Sequence, residues 1–370
     1  MERQAASVVV VREYNAATDR AAAEEVERTC QLGSSGKMSL HTDLLGDPAS
    51  RIRHSPTYLM LVLSLLLRLV SRSLFLVSVV EHRVISGRLR WRRRGDSHIH
   101  QGWLSAWSSS VSFSSVNSSL YHFCQSLLFL SLSCIDDDNN VRRKGIGLRL
   151  VRQMEGWFRE KGAEYAYMAT GKDNEASMRL FTERCDYAKF RVPTILVHPV
   201  FAHRLPVPRS VTVLRLGHAD AEAIYRRCFA TTEFFPRDID AVLRNPLTVA
   251  TFLAVPASCA AARQWPGAEA FLAAPPGSWA VASAWDCGGV LRMEVRGASR
   301  LRRGAASATR AADRAMPWLR IPAIPDLFRP FVAWFLWCVK RLGEEYSDGG
   351  VGDWTKSAPG ASIFVDPREL

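Results

Sequence analysis

The sequence predicts an α/β protein of mixed sheets and helices, arranged as two tandem units, and three observations predict it. Between residues 131 and 190 a strand-like run, a basic glycine-bearing turn, an amphipathic helix, a strand, a second helix and an aromatic strand follow one another. A β-branched strand ending in an arginine, then a loop and a helix, opens the chain at Val8 and recurs at Ser210. The proline-bearing "VHPVFAHRLPVPRS", Val197–Ser210, stands before the recurrence and has the composition of a linker. The expected units are residues 8–198 and 210–370, and 370 residues suffice for two cores.

In chain order, Val8–Arg12 reads as a strand, Thr18–Cys30 as a helix with Ala21, Ala22, Val26 and Cys30 apolar, and Tyr58–Val62 as a strand. From Leu63 to Asn140 the pattern changes to "LSLLLRLVSRSLFLVSVV", an arginine cluster at Arg83–Gly95 and the serine-rich "LSAWSSSVSFSSVNSSL". A membrane helix across Tyr58–Val80 would bury Arg68 and Arg72, each costing about 2.5–3.5 kcal/mol at a helix centre, so no membrane partner is expected. Disorder fits the serines, although Trp103, Trp107 and Phe113 are unusual for it.

The stretch "NNVRRKGIGLRLVRQMEGWF", Asn139–Phe158, carries the strongest chemical signal. Gly145 and Gly147 permit close backbone approach, and the first turn of the helix leaves N–H groups pointing outward. Arg142, Arg143 and Lys144 add positive charge, so phosphate or pyrophosphate is the natural guest. Ile146, Leu148, Leu150, Val151, Met154, Trp157 and Phe158 form an apolar stripe, with Arg149, Arg152 and Glu155 between them, and Gly162 ends the helix. Neither GxxxxGK[ST] nor GxGxxG is present. "AEYAYMAT", Ala163–Thr170, then alternates Tyr165, Tyr167 and Ala169 with Ala166 and Met168. Asp173 or Asn174 caps the next helix, which is expected to turn Ala176, Met178, Leu180 and Phe181 inward.

The Arg-x-x-Gly-x-Gly spacing from Arg142 to Gly147 resembles the acetyl-CoA pyrophosphate loop of the GCN5-related N-acetyltransferase superfamily. Asn174, Ala176, Leu180, Phe181 and Tyr187 match its second signature. "RIRHSPTYLMLV", "TTEFFPRDID", "VRGASRLRR" and "SDGGVGDWTKSAPGASIFVDPREL" narrow the resemblance to the Hookless-type N-acetyltransferases of plants. It implies that superfamily's mixed-sheet fold, in tandem with a shortened second half. It also implies acetyl-CoA as substrate and no metal. The pyrophosphate is expected at Arg142, Arg143, Lys144, Gly145, Ile146, Gly147 and Leu148, with the pantetheine arm near Asn174. Direct transfer to a protein amine in a ternary complex, a nuclear or nucleocytoplasmic location and a link to growth control follow from the resemblance, which leaves the acceptor unnamed.

The chain departs from that family in four places. Across residues 63–140 the resemblance vanishes and returns abruptly, as translated intron or a shifted frame would produce, and the family's central strands are expected to be missing. Between Leu336 and Trp337 a long segment carried by similar proteins is absent, and the second unit lacks a glycine-rich basic loop. Phe181 stands where many members place a tyrosine that protonates the leaving thiolate, and phenylalanine has no proton to give. Asp186 stands where the pattern has glycine, which aspartate tolerates at some cost if φ is positive.

Catalytic candidates are correspondingly few. Asp136, Asp137 and Asp138 offer a carboxylate base acting through water, with Asp137 named as the candidate, yet adjacent acids in a loop ordinarily make a solvated turn. Tyr187 is the candidate acid, although its position favours packing. His54 and His198 have no partner at metal or triad spacing. The eight cysteines lack zinc spacing and read as reduced intracellular thiols, and "MERQAASVVVVREYN" does not read as a signal peptide. The net charge of +12 comes largely from Arg83–Gly95 and Arg296–Arg310. Nucleic acid is not an expected partner, and the second cluster reads as a solvated or anion-binding face. The competing expectation is a noncatalytic regulatory or scaffold protein that retains the fold.

Overall fold

The computed structural model describes residues 8–29, 31–50, 52–55, 57–66, 74–81, 126–130, 145–171, 174–192, 194–196, 207–230, 232–319, 332–343, 355–356, 364 and 366–369. Along the chain, β1 (Val8–Glu13) leads to α1 (Ala16–Thr29), β2 (Gln31–Ser35), β3 (Met38–Asp43), a 3-10 turn at Ile52–His54, β4 (Thr57–Leu66), β5 (Leu74–Glu81) and β6 (Ser126–Leu130). Then come α2 (Ile146–Glu160), β7 (Tyr165–Gly171), α3 (Glu175–Arg179) with a π-helical turn at Leu180–Arg184, β8 (Ala188–Arg191) and β9 (Thr194–Leu196). The remainder comprises β10 (Val211–Leu216), α4 (His218–Phe229), α5 (Ile239–Leu243), β11 (Thr248–Pro256), α6 (Ala260–Arg263), α7 (Ala268–Ala273), β12 (Ala280–Trp285), β13 (Arg292–Arg296), α8 (Arg300–Ala315) and β14 (Val332–Arg341).

Capping chemistry sets the first turn. Asn15 accepts the Ala17 N–H through Oδ1 at 2.9 Å, and the Asp19 carboxylate accepts the Asn15 N–H at 2.8 Å. The same carboxylate receives two N–H groups of Arg12, each at 2.6 Å, which tie α1 to β1. Those bonds hold its pKa down to about 2.

The main sheet runs β1-β4-β5-β6-β7-β14-β8, with β9 also paired to β14. Two results correct expectations from sequence. The aberrant stretch does not leave the centre empty, because β5 and β6 lie within residues 63–140 and pair in register, Val79 with Leu128 and Leu59 with Val79. The leucine- and valine-rich run makes two antiparallel strands, β4 and β5, which satisfy each other's backbone. The described residues contain no helix long and apolar enough to cross a membrane. Secondly, the strand between β7 and β8 comes from the far end of the chain, and β14 runs unbroken through the Leu336–Trp337 junction, antiparallel to both neighbours.

Strand alternation divides this sheet into two faces. Ala166 and Met168 of β7 and Leu336 and Cys338 of β14 join Leu150, Val151, Met154 and Phe158 of α2 in one core. On the other face Tyr165, Tyr167, Trp337 and Val339 cluster with Phe190 and with Phe234, which arrives from the α4–α5 connection. Glu233 beside it pairs with Arg191.

The β10-β11-β12 sheet packs α4, α5 and α7 around Ile224, Tyr225, Ile239, Leu253, Phe271 and Trp285. Asp220 anchors α7 to α4 by accepting the Trp265 Nε1–H at 2.8 Å and the Ala268 N–H at 2.9 Å. A third sheet, β13-β3-β2, joins strands from the two expected units. There Gly297 has φ +75° and approaches so closely that a Cβ would lie 2.1 Å from the Lys37 carbonyl oxygen. Near the C-terminus, buried Arg368 binds Asp238 and buried Asp366, and Phe364 enters the second core.

Candidate functional site

The β6 and β7 strands form the one parallel pairing among the described residues, and α2 connects them. In such a unit the crevice at the carboxyl ends of the strands receives ligands, because helix N-termini converge there. Here that end holds Gly145, which opens α2, and Asn174, which follows β7.

Gly145 adopts φ 71° and ψ 18° and is exposed. An added Cβ would meet nothing within 4 Å, so the left-handed backbone, rather than crowding, calls for glycine. The first bond of the helix runs from the Arg149 N–H to the Gly145 carbonyl at 3.1 Å. The N–H groups of Ile146, Gly147 and Leu148 therefore lack intrahelical acceptors. Ile146 is buried and anchors the turn in the core, while Gly147 and Leu148 are half-buried. Arg142, Arg143 and Lys144 lie outside the described residues, as does the Asp136–Asp138 run that contains Asp137.

The far end of α2 closes as the sequence predicts. The Ala163 N–H reaches the Phe158 carbonyl at 2.9 Å and the Gly162 N–H reaches Arg159 at 3.0 Å, the paired bonds of a Schellman ending. Asn174, rather than Asp173, caps α3 and accepts the Ser177 N–H at 3.1 Å. Its Oδ1 is thereby committed to the helix, leaving the amide NH₂ for a ligand. Of the residues expected inward, Phe181 is buried and Met178 and Leu180 pack half-buried against the core, but Ala176 is exposed; Ser177, one helical turn before Phe181, is fully buried in its place.

Tyr187 is packed. It is 3 % exposed, meets the Phe181 ring edge-on at 5.1 Å, and is held far above the ordinary phenol pKa, first by burial and then by nearby Glu155. Asp186 takes φ 60°, the left-handed conformation that a glycine position implies. Burial pushes the Cys185 thiol up to about 11, which makes it a poor nucleophile. The His54 pKa is lowered, by desolvation first and Arg53 second. Among the described residues no group of three or more His, Cys, Asp or Glu is placed to hold a metal.

The sequence pattern put Glu155 on the polar side of α2, but its side chain is only 6 % exposed. It receives Lys340 Nζ of β14 at 2.9 and 3.1 Å, and Arg159 lies at 3.5 Å. Lys340 also lies over the Tyr187 ring at 5.7 Å. This pair fastens the helix behind the crevice to the inserted strand. The available sequence signal was an acid falling beside Val151, Met154 and Phe158 in the inward sector.

Comparison with known proteins bears on this arrangement. Residues 138–187, from just before the glycine turn to Tyr187, match the profile of the Acetyltransferase (GNAT) family. Two Arabidopsis thaliana proteins described as "Probable N-acetyltransferase HLS1-like" and "Probable N-acetyltransferase HLS1" are 44% and 43% identical. Each alignment covers 98% of this chain, and 99% and 100% of those proteins. Both run over 425 positions, more than the 370 residues present, so this chain lacks sequence that these relatives carry. "Acetyl transferase GW6a" of Oryza sativa subsp. japonica is 34% identical over 91% of this chain and 77% of its own. A crystal structure of a GCN5-related N-acetyltransferase from Sphaerobacter thermophilus aligns over 91% of this chain and 96% of its own, at 14% identity and TM-score 0.37.

Proposed function

Because the chain belongs to the HLS1-type family of plant N-acetyltransferases within the GNAT superfamily, we infer that it transfers an acetyl group directly from acetyl-CoA to a protein amine in a ternary complex. The observation that carries this reading is the left-handed Gly145 turn at the carboxyl end of a parallel strand pair. The free N–H groups of Ile146, Gly147 and Leu148 would take pyrophosphate oxygens, assisted by Arg142, Arg143 and Lys144. Asn174 would meet the pantetheine arm. Acetyl transfer from a thioester then requires a neutral amine, its orientation, and a donor for the developing oxyanion. By family resemblance the work belongs in the nucleus or nucleocytoplasm and serves growth control.

A second reading, a noncatalytic regulator that keeps the fold, is favoured by Phe181 and Tyr187. The first has no proton to donate, and the second is sealed in the core with an elevated pKa. Thermal unfolding with and without acetyl-CoA tests the first reading. Ligand at about a hundred times its dissociation constant should stabilise the protein by roughly 2.7 kcal/mol, and Gly145→Glu should abolish the shift. A cooperative transition without any shift would sink the acetyltransferase reading.

A further inference from the structure

The α8 helix breaks two local rules of helix stability at once. Its first turn contains Arg300, Arg302 and Arg303 and no acid, although cations are disfavoured at the positive end of a helix dipole. Arginines also recur at like-charge neighbour spacings, Arg300 with Arg303 and Arg310 with Arg314, which destabilise an isolated helix. Of its sixteen residues only Ala306 and Asp313 are buried, so packing does little to compensate. Rule violations of this kind are expected at functional surfaces.

At 100° per residue, Arg300, Arg303, Arg310 and Arg314 fall within a sector of about 80° and span about 21 Å. All four are exposed, and none forms an ion pair with another described residue. Several helical arginines elsewhere are neutralised by acids one turn away, Arg20 by Glu24, Arg159 by Glu155, Arg179 by Glu175, Arg226 by Glu222 and Arg244 by Asp240, and the described residues pair no acid with Arg149 or Arg152 of α2 either. The one other arginine of α8, Arg302, turns inward to Met38 Sδ at 3.5 Å. Beside the stripe stand Gly304, Ser307, Ala308 and Ala311, all small, so this side of the helix is slender.

We propose that α8 docks into the major groove of B-form duplex DNA and grips its phosphate backbone without reading base sequence. A groove about 12 Å wide admits a helix of about 10–12 Å diameter, and the arginine fork suits phosphate oxygens. This differs from the expectation drawn from sequence. What changes the reading is that Arg300, Arg303, Arg310 and Arg314 share one solvent face, with no acid paired to them among the described residues. The surface shares no residue with the Gly145 turn or with Asn174.

Fluorescence anisotropy of the full chain with a short labelled DNA duplex of mixed sequence tests this. Four neutralised phosphates predict a slope of log K against log salt of about −3.6, or about 150-fold weaker binding between about 50 and 200 mM salt. Arg300→Gln, Arg303→Gln, Arg310→Gln and Arg314→Gln together should flatten the slope by that amount, whatever the Arg83–Gly95 segment adds. The acetyl-CoA melting shift should survive. Arg310→Gln with Arg314→Gln, a milder variant should the fourfold one fail to fold, is expected to remove half the effect, and four Arg→Lys changes should largely restore it. No binding at low salt, or an unchanged slope in the variants, overturns the proposal. Equal competition by polyglutamate would reassign the surface to acidic polypeptides, and tighter binding of duplex RNA, whose major groove is too narrow for a helix, would remove the groove geometry.

Discussion

The β10-β11-β12 sheet and the eight-stranded sheet are assembled by opposite rules. The smaller one draws its strands from the continuous stretch Val211–Trp285, and each pairs with its neighbour in sequence. The larger one is unfinished until β14, from residues 332–341, slides between β7 and β8. A locally closed sheet can fail alone, whereas the larger sheet fails with anything that disturbs the distant segment. The candidate crevice stands on the dependent sheet.

The largest expected effect separates the two regions. Trp337→Ala empties the aromatic cluster of Tyr167, Phe190 and Phe234 and should cost about 3–5 kcal/mol, with loss of acetyl-CoA stabilisation. Leu253→Ala, fully buried in the other core, should cost about 2–5 kcal/mol yet leave acetyl-CoA binding measurable by calorimetry while the protein is folded. Equal damage to binding by both would erase the contrast.

A finer break is electrostatic. Lys340→Met leaves the buried Glu155 carboxylate only the longer 3.5 Å contact with Arg159 and should cost about 3 kcal/mol in denaturant unfolding. Adding Glu155→Leu should recover most of that, because two apolar groups can replace a buried pair. If the double variant is as unstable as the single, the pair is not what fastens α2 to β14.

The smallest effect is seen in acid. Asp19 titrates near 2 when folded, below its unfolded value of 3.8, so its stabilisation is fully present above pH 3.8 and is lost as pH falls through 2. With Arg12 partly exposed, about 1–2 kcal/mol is the expected size. Asp19→Asn should flatten the stability profile between about pH 5 and 2, and an unaltered profile would show that α1 is held by other means.

How much was legible in the sequence follows the same division. The glycine turn, the α2 stripe, the Schellman ending, the β7 alternation and the positive φ of Asp186 are decided within a few residues, and all could be read. The burial of Glu155 depends on Lys340, 185 residues away. The burial of Tyr165 and Tyr167 involves Phe234 and Trp337, which no periodicity links to them. The hydrophobic run after Leu63 looked foreign because it departs from the family, yet composition suffices to build a strand even where family resemblance is lost.

The placement of β14 also sets a timetable for the nascent chain. At about 5–20 residues per second, the ribosome needs roughly 8–30 s to travel from Arg191 at the end of β8 to Arg341 at the end of β14. Throughout that interval β7 and β8 present unpaired edges, while Val211–Trp285 has already emerged and can close its own sheet. The acetyl-CoA crevice would thus be the last part of the protein to mature, and the part most in need of a chaperone during synthesis.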